Sequence, residues 1–203
     1  MNHILRMLTR MTERLIISSA TGKRFQTVCL TWHLGRLVKR KGHAWFIKNV
    51  LPKLPENVLY VIAGTGPERE KIEQAAEKYG FQNKVILLGK VSPDTLRVLY
   101  NTVDAFIQPN ISVKHDAEGF GLVLLEAALC ECPVFAARLE GIPNAIQDGH
   151  NGTLLPTQDA AAWVKTLTYF LQQQNTKATQ ARQYTLQNFS WDTIAPRYSV
   201  VFK

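Results

Sequence analysis

The chain has 203 residues and a mass of 22.9 kDa, enough for one good-sized domain and too little for two ordinary ones. Its 46% apolar and 20% charged residues are those expected of a soluble globular fold, and 9 Pro with 12 Gly exclude a collagen-like or low-complexity chain. The net charge of +8 is confined to the front: residues 1–42 hold nine Lys or Arg against Glu13, while the rest is neutral.

Residues 1–17 place Ile4, Leu5, Leu8, Met11 and Leu15 at helical spacing among Arg6, Arg10 and Arg14. This reads as a basic amphipathic helix, able to lie on an anionic membrane surface or to pack against another domain. The arginines also break the apolar run a signal peptide would need. Residues 18–27 read as a linker. A small phosphate ligand and nucleic acid are the other partners such a charge suits. Cations spread along a face and interleaved with aromatics mark nucleic-acid binders, and neither is seen, so no nucleic acid is expected.

From residue 28 onward short apolar runs alternate with longer amphipathic segments. Strands are expected at Val28–Leu34, Val58–Ala63, Val85–Leu88, Ala105–Gln108, Pro133–Ala136 and Thr153–Leu155, several without polar alternation, as in a parallel sheet covered on both faces. Helices are expected at 42–52, 67–79, 92–101, 121–131 and 158–174. Repeated strand-then-helix order implies an α/β fold, a doubly wound, Rossmann-like parallel sheet with helices on both faces. Residues 176–203 read as further helix, with Phe189, Trp191, Ile194, Tyr198, Val201 and Phe202 as an apolar stripe that something must cover. The expected division is thus 1–27, 28–175 and 176–203. The longest apolar runs, such as Phe120–Leu125, fall well short of the roughly 18–20 residues of a membrane span. Three cysteines close no disulfide framework, which favours a reducing, cytoplasmic setting.

Two constellations stand out chemically. The run GRLVKRKG, Gly35 to Gly42, follows the first strand and puts Arg36 and Lys41 at a strand's carboxyl end, where open α/β sheets bind ligands. A guanidinium fork and an ammonium point charge suit a diphosphate, though a solvated basic loop would look the same. The run EGFGLVLLE, Glu118 to Glu126, pairs glycines that permit close backbone approach with a helix N-terminus suited to an anion. Glu118 precedes that helix and Glu126 lies within it, directly after the apolar run Leu122–Leu125, where an unpaired charge is costly. Carboxylates accept well from sugar hydroxyls, a ribose pair included.

Weaker signals surround them. VIAGTGP, Val61 to Pro67, is a tight turn lacking the third glycine of a dinucleotide fingerprint. Gly89, Lys90 and Val91 form a similar strand exit. His115, Asp116 and Glu118 are the nearest approach to a metal set, without a further His or Cys to complete it, so no metal is expected. Cys130 and Cys132, beside Pro133, read as packing residues.

From about Thr31 to Leu171 the chain resembles the C-terminal, donor-binding domain of family 4 retaining glycosyltransferases of GT-B fold. The resemblance rests on GRLVKRKG, VIAGTGPERE, VILLGKVSPDTL, DAFIQPN, EGFGLVLLEA, CPVFAA, EGIPNAIQDGHNG and TLLP, in order and at natural spacing. It implies a hexosyltransferase-type enzyme moving a sugar from a nucleoside diphosphate sugar, UDP- or GDP-linked, to an acceptor hydroxyl in polysaccharide or glycolipid synthesis. It further implies that Arg36 and Lys41 bind the diphosphate and stabilise the leaving nucleotide. Glu118 and Glu126, the ends of the E-x7-E motif, would face the sugar and the ribose. Gly119, Phe120, Gly121 and Leu122 would bring backbone amides to sugar and phosphates, Gly64 would line the cleft, and Gly89, Lys90 and Val91 would hold the base. No metal cofactor is implied.

Three positions depart from the pattern. Glu131 stands where Gly usually ends the E-x7-E helix, and a left-handed residue there costs about 1 kcal/mol. Glu140 also replaces a common Gly, and Asn144 a common Glu. The family's N-terminal acceptor domain has no counterpart in residues 1–27, so the chain reads as half an enzyme, completed by a separate acceptor-domain subunit or cut short from a longer polypeptide; the basic residues 1–17 make the inner membrane face an expected peripheral location. The competing expectation is a nucleotide-sugar-binding module or degenerate fragment without activity of its own.

Overall fold

The computed structural model describes residues 28–173 and 178–199. The basic segment 1–17, the linker 18–27, and the stripe positions Val201 and Phe202 lie outside the described residues, as does the Tyr198 side chain.

Six parallel strands form one sheet in the order β3-β2-β1-β4-β5-β6. They are β1 (Val28–Leu34), β2 (Val58–Ala63), β3 (Val85–Gly89), β4 (Ala105–Gln108), β5 (Val134–Ala137) and β6 (Thr153–Leu155). Every strand run expected from the sequence forms, within one residue at each end. Between them lie α1 (His43–Asn49), α2 (Arg69–Lys78), α3 (Pro93–Thr102), α4 (Leu122–Leu129), α5 (Ile142–Ala145) and α6 (Ala160–Gln173), followed by α7 (Ala178–Phe189) and α8 (Trp191–Ser199).

The apolar runs lack alternation because both faces of the sheet are covered. Tyr60, Ile62, Ile107 and Phe135 point to one side, into a core closed by Phe46 and Ile47 of α1, Ile72 of α2 and Trp163 and Leu167 of α6. Val61, Phe106, Val134 and Ala136 point to the other, against Leu99 of α3, Leu124 and Ala127 of α4 and Ile142 of α5. This is the side-chain period of a strand read twice, once per layer.

Local chemistry explains where the helices begin and stop. Ser92 caps α3, its hydroxyl accepting from Thr95 N at 3.2 Å, and Pro93 supplies the preset first turn. The expected helix 42–52 is α1 plus a separate 3₁₀ turn at Leu51–Lys53, because Pro52 lacks the N–H that would continue the ladder. The short α5 was not foreseen; Pro143 opens it just after Gly141. The expected C-terminal helix is two, broken at Ser190.

Order 3-2-1-4-5-6 reverses direction between β1 and β4. The helices that follow those two strands go to opposite faces, α1 into the first core and α4 into the second, and the carboxyl ends between them are where doubly wound sheets hold ligands in a crevice.

Candidate donor-binding site

Two loops build the crevice: 35–42 after β1 and 109–121 after β4. Ile111 N donates to Arg40 O at 2.8 Å, joining them. Gly42 makes the approach feasible. It sits at φ 71°, and a Cβ there would lie 1.9 Å from the carbonyl oxygen of Pro109. The left-handed residue ends a 3₁₀ turn, Lys39–Lys41, and turns Lys41 inward beneath the loop.

Lys41 and Glu118 consequently meet: Nζ donates to Oε2 at 2.5 Å, with 7% and 11% of the side chains exposed. Arg40 Nη1 donates to the same oxygen at 2.5 Å, while Arg40 Nε donates to Asp116 at 2.9 Å. Asn110 Nδ2 at 3.2 Å and Gln108 Nε2 at 3.4 Å complete the ring around Oε2, both from fully buried residues at the end of β4. Burial pulls the Lys41 ammonium below the usual lysine range, and Glu118 offsets this only in part. Burial pushes the Glu118 carboxyl up, but Lys41, Arg40 and Asn110 together outweigh it and hold the group below the ordinary carboxylate range.

A third loop braces Glu118 from behind. Glu118 N donates to the Glu140 carboxylate at 2.5 Å, and Gly141 N donates to Glu118 O at 3.1 Å. The contact is so close that a Cβ on Gly141 would lie 1.8 Å from Gly119 O. Glu140 adopts φ 51°, so the residue replacing the family's glycine keeps the left-handed turn and adds a carboxylate that caps Glu118. Glu131 likewise takes φ 58° at the end of α4.

The other end of the E-x7-E motif is held differently. Glu126 is exposed on α4 and accepts from the Tyr100 hydroxyl at 2.8 Å. Burial, with Glu126 adding to it, drives that phenol far above its usual range, so it remains a donor. Gly121 is the N-cap of α4, and Gln108 Nε2 lies 3.6 Å from where its Cβ would be, so the helix N-terminus and the Glu118 ring share one side of the crevice. Phe120 packs edge-on against Phe189 of α7, 6.3 Å between centroids, and Leu122 is 65% exposed. Trp191 of the apolar stripe is 83% exposed.

Gly64 N donates to Gly89 O at 2.8 Å, and Leu37 N to Thr65 O at 2.8 Å, so the GTG turn and the exit of β3 are stitched to the basic loop. Lys90 is exposed there and Val91 packs on the second core. Arg36 does not join the ring around Glu118; it lies exposed on the loop, and Arg40 takes that place. Arg40, Gln108, Asn110 and Tyr100 were not named as site residues from the sequence, and Glu140 was named only as a departure from the family pattern. Arg40 carried a signal as one of four cations in GRLVKRKG, and Gln108 and Asn110 as the end of DAFIQPN; Tyr100 carried none.

A buried lysine and a half-buried arginine converge on one carboxylate at the switch point of a doubly wound sheet, the place where such α/β domains hold their ligands. The chain belongs to the glycosyl transferases group 1 family, whose pattern it matches over residues 23–187. It is 31% identical over 175 residues to an uncharacterized glycosyltransferase of Methanocaldococcus jannaschii, covering 84% of this chain and 43% of that one. It is 31% identical over 197 residues to a GDP-mannose-dependent alpha-(1-6)-phosphatidylinositol monomannoside mannosyltransferase of Mycolicibacterium smegmatis, covering 93% and 49%. In fold it matches HepE of Anabaena in complex with UDP, with a TM-score of 0.76 and 23% identity over 94% of this chain and 52% of that one. The sheet is thus that of a GT-B glycosyltransferase domain, and the chain spans about half the length of the curated relatives it matches.

Proposed function

We propose that the chain is the donor-binding half of a retaining glycosyltransferase that takes its sugar from a nucleoside diphosphate sugar and gives it to an acceptor hydroxyl. The observation that carries this reading is the convergence of Lys41 and Arg40 on Glu118 at the β1/β4 crevice. Fixed cations in a partly dry site stabilise the charge that develops on a departing diphosphate as the bond from the sugar's anomeric carbon breaks. They need no reorganisation at that moment. Lys41, with Arg36 at the loop's outer edge, serves the diphosphate. Glu118 meets the transferred sugar once donor is in place, and Glu126, oriented by Tyr100, meets the ribose. Backbone of Gly119, Phe120, Gly121 and Leu122 approaches sugar and phosphate, the Gly64 turn walls the cleft, and Gly89, Lys90 and Val91 frame the base. The acceptor comes from a second half, in the same polypeptide or a separate subunit, whose closure excludes water and aligns the reactants. Metal has no part in the proposal.

The named relatives use or hold different bases, GDP in one and UDP in another. The test is therefore calorimetric titration with UDP, GDP, ADP and their sugar conjugates, beside an Arg36→Ala/Lys41→Ala double variant. Binding of one nucleotide that the double variant loses is the expected result. A folded wild-type chain that binds none of them sinks the reading.

A further inference from the structure

The four side-chain donors around Glu118 crowd onto one of its two carboxylate oxygens: Arg40 Nη1, Lys41 Nζ, Asn110 Nδ2 and Gln108 Nε2 all converge on Oε2. A carboxylate oxygen offers two lone pairs. The two amides are fully buried and turn their nitrogens to that oxygen, while Gln108 Oε1 and Asn110 Oδ1 have no hydrogen-bond partner among the described residues. Buried amides are ordinarily satisfied at both ends. Both turn their donor ends to the Glu118 carboxylate and leave their acceptor ends unpaired. Four donors around one oxygen fit an anion with several oxygens at phosphate spacing better than they fit a single glutamate. Arg40 is also held from outside by Asp116, so its guanidinium stays at the site when Glu118 leaves.

Resting on the donor-binding reading above, we propose that Glu118 is the resident counter-anion of a four-donor socket made by Arg40, Lys41, Gln108 and Asn110. A donor diphosphate enters by exchanging with that carboxylate. Arg40 is thereby a diphosphate ligand in its own right, beyond the Arg36 and Lys41 positions of the motif. The exchange frees Glu118 to turn toward the sugar only when a diphosphate has arrived, so the residue that meets the sugar is released by the group the sugar leaves.

The exchange makes an unusual prediction: removing the acidic group strengthens binding of the bare diphosphate. The whole chain is titrated calorimetrically with sodium pyrophosphate, UDP and GDP at fixed ionic strength, as wild type, Glu118→Gln and Arg40→Gln. Thermal melts check that each variant is folded. Glu118→Gln is expected to bind the preferred probe about tenfold more tightly, the effect of no longer breaking a close charge pair. Arg40→Gln is expected to bind about tenfold more weakly, losing one charge-assisted contact. Glu118→Asp, one methylene shorter, retracts the anion from the socket and should bind more tightly than wild type; it answers the question if Glu118→Gln does not fold. Wild-type binding with unchanged or weaker binding by the folded Glu118 variants overturns the exchange and leaves the donor site standing. Unchanged binding by Arg40→Gln overturns Arg40 as a ligand. Failure of every probe to bind wild type and folded Glu118 variants alike overturns the donor reading, and the exchange with it.

Discussion

Removing the Glu118 carboxylate should cost far more stability than removing the Lys41 ammonium. In Glu118→Gln, the Lys41 ammonium loses its carboxylate with only 7% of its side chain in water, and Arg40 retains only Asp116. Stranding a fully buried charge costs about 3–5 kcal/mol, and the residual exposure here argues for the lower end, about 3 kcal/mol. In Lys41→Met the carboxylate still receives Arg40, Asn110 and Gln108, so the loss is about 1–2 kcal/mol. The double variant should be more stable than the sum of the single losses implies, with a coupling of about 1–3 kcal/mol. Urea unfolding at pH 7 gives the free energies. For a chain of this size the melting temperature of Glu118→Gln should fall by about 6–12 °C. A loss below about 0.5 kcal/mol for Glu118→Gln, with additive behaviour in the double variant, would mean a solvated surface pair and refute the buried-pair argument.

Four further outcomes are expected. Gly141→Ala needs no unusual φ, yet its methyl meets Gly119 O, so it should displace the Glu118 loop and weaken nucleotide binding more than Gly149→Ala, where φ is 79° but nothing lies within 4 Å; the two are compared by titration. Burial, with Lys41 adding to it, drives His43 down to about 3, so the unfolded chain binds the extra proton between that value and 6.5. Stability should therefore fall as pH drops below 6.5, by up to ~1.4 kcal/mol per pH unit, the limiting slope for one proton. His43→Asn should flatten this slope in urea titrations from pH 6.5 to 5. Glu118 acts at lower pH: its depressed value gives stability that is complete above 4.5 and lost as pH falls through the folded value, so wild type and Glu118→Gln should converge in stability there. Tyr100→Phe leaves packing intact but frees Glu126, and should weaken nucleoside diphosphate binding while leaving pyrophosphate binding unchanged.

The sequence alone determined the sheet and its two-sided burial, and it singled out the two loops that meet at the switch point. These are local properties: runs such as Val58–Ala63 can be buried on both faces only in a covered parallel sheet, and Gly42 and Gly121 mark turns that need a left-handed residue. Tertiary structure alone decided which side chains meet. Arg36 and Arg40 share one basic loop, and nothing in their order says which reaches Glu118; the 3₁₀ turn at Lys39–Lys41 sends Arg40 inward and leaves Arg36 in water. Tyr100 and Glu126 lie on separate helices, and Glu140 reaches Glu118 only because β5 carries its loop across the sheet. Gln108 and Asn110 read as the polar end of a strand until folding brings a carboxylate to them. Hydrophobic period is written residue by residue, whereas a charge finds its partner only after the chain has closed loops of more than seventy residues, the separation of Arg40 and Lys41 from Glu118.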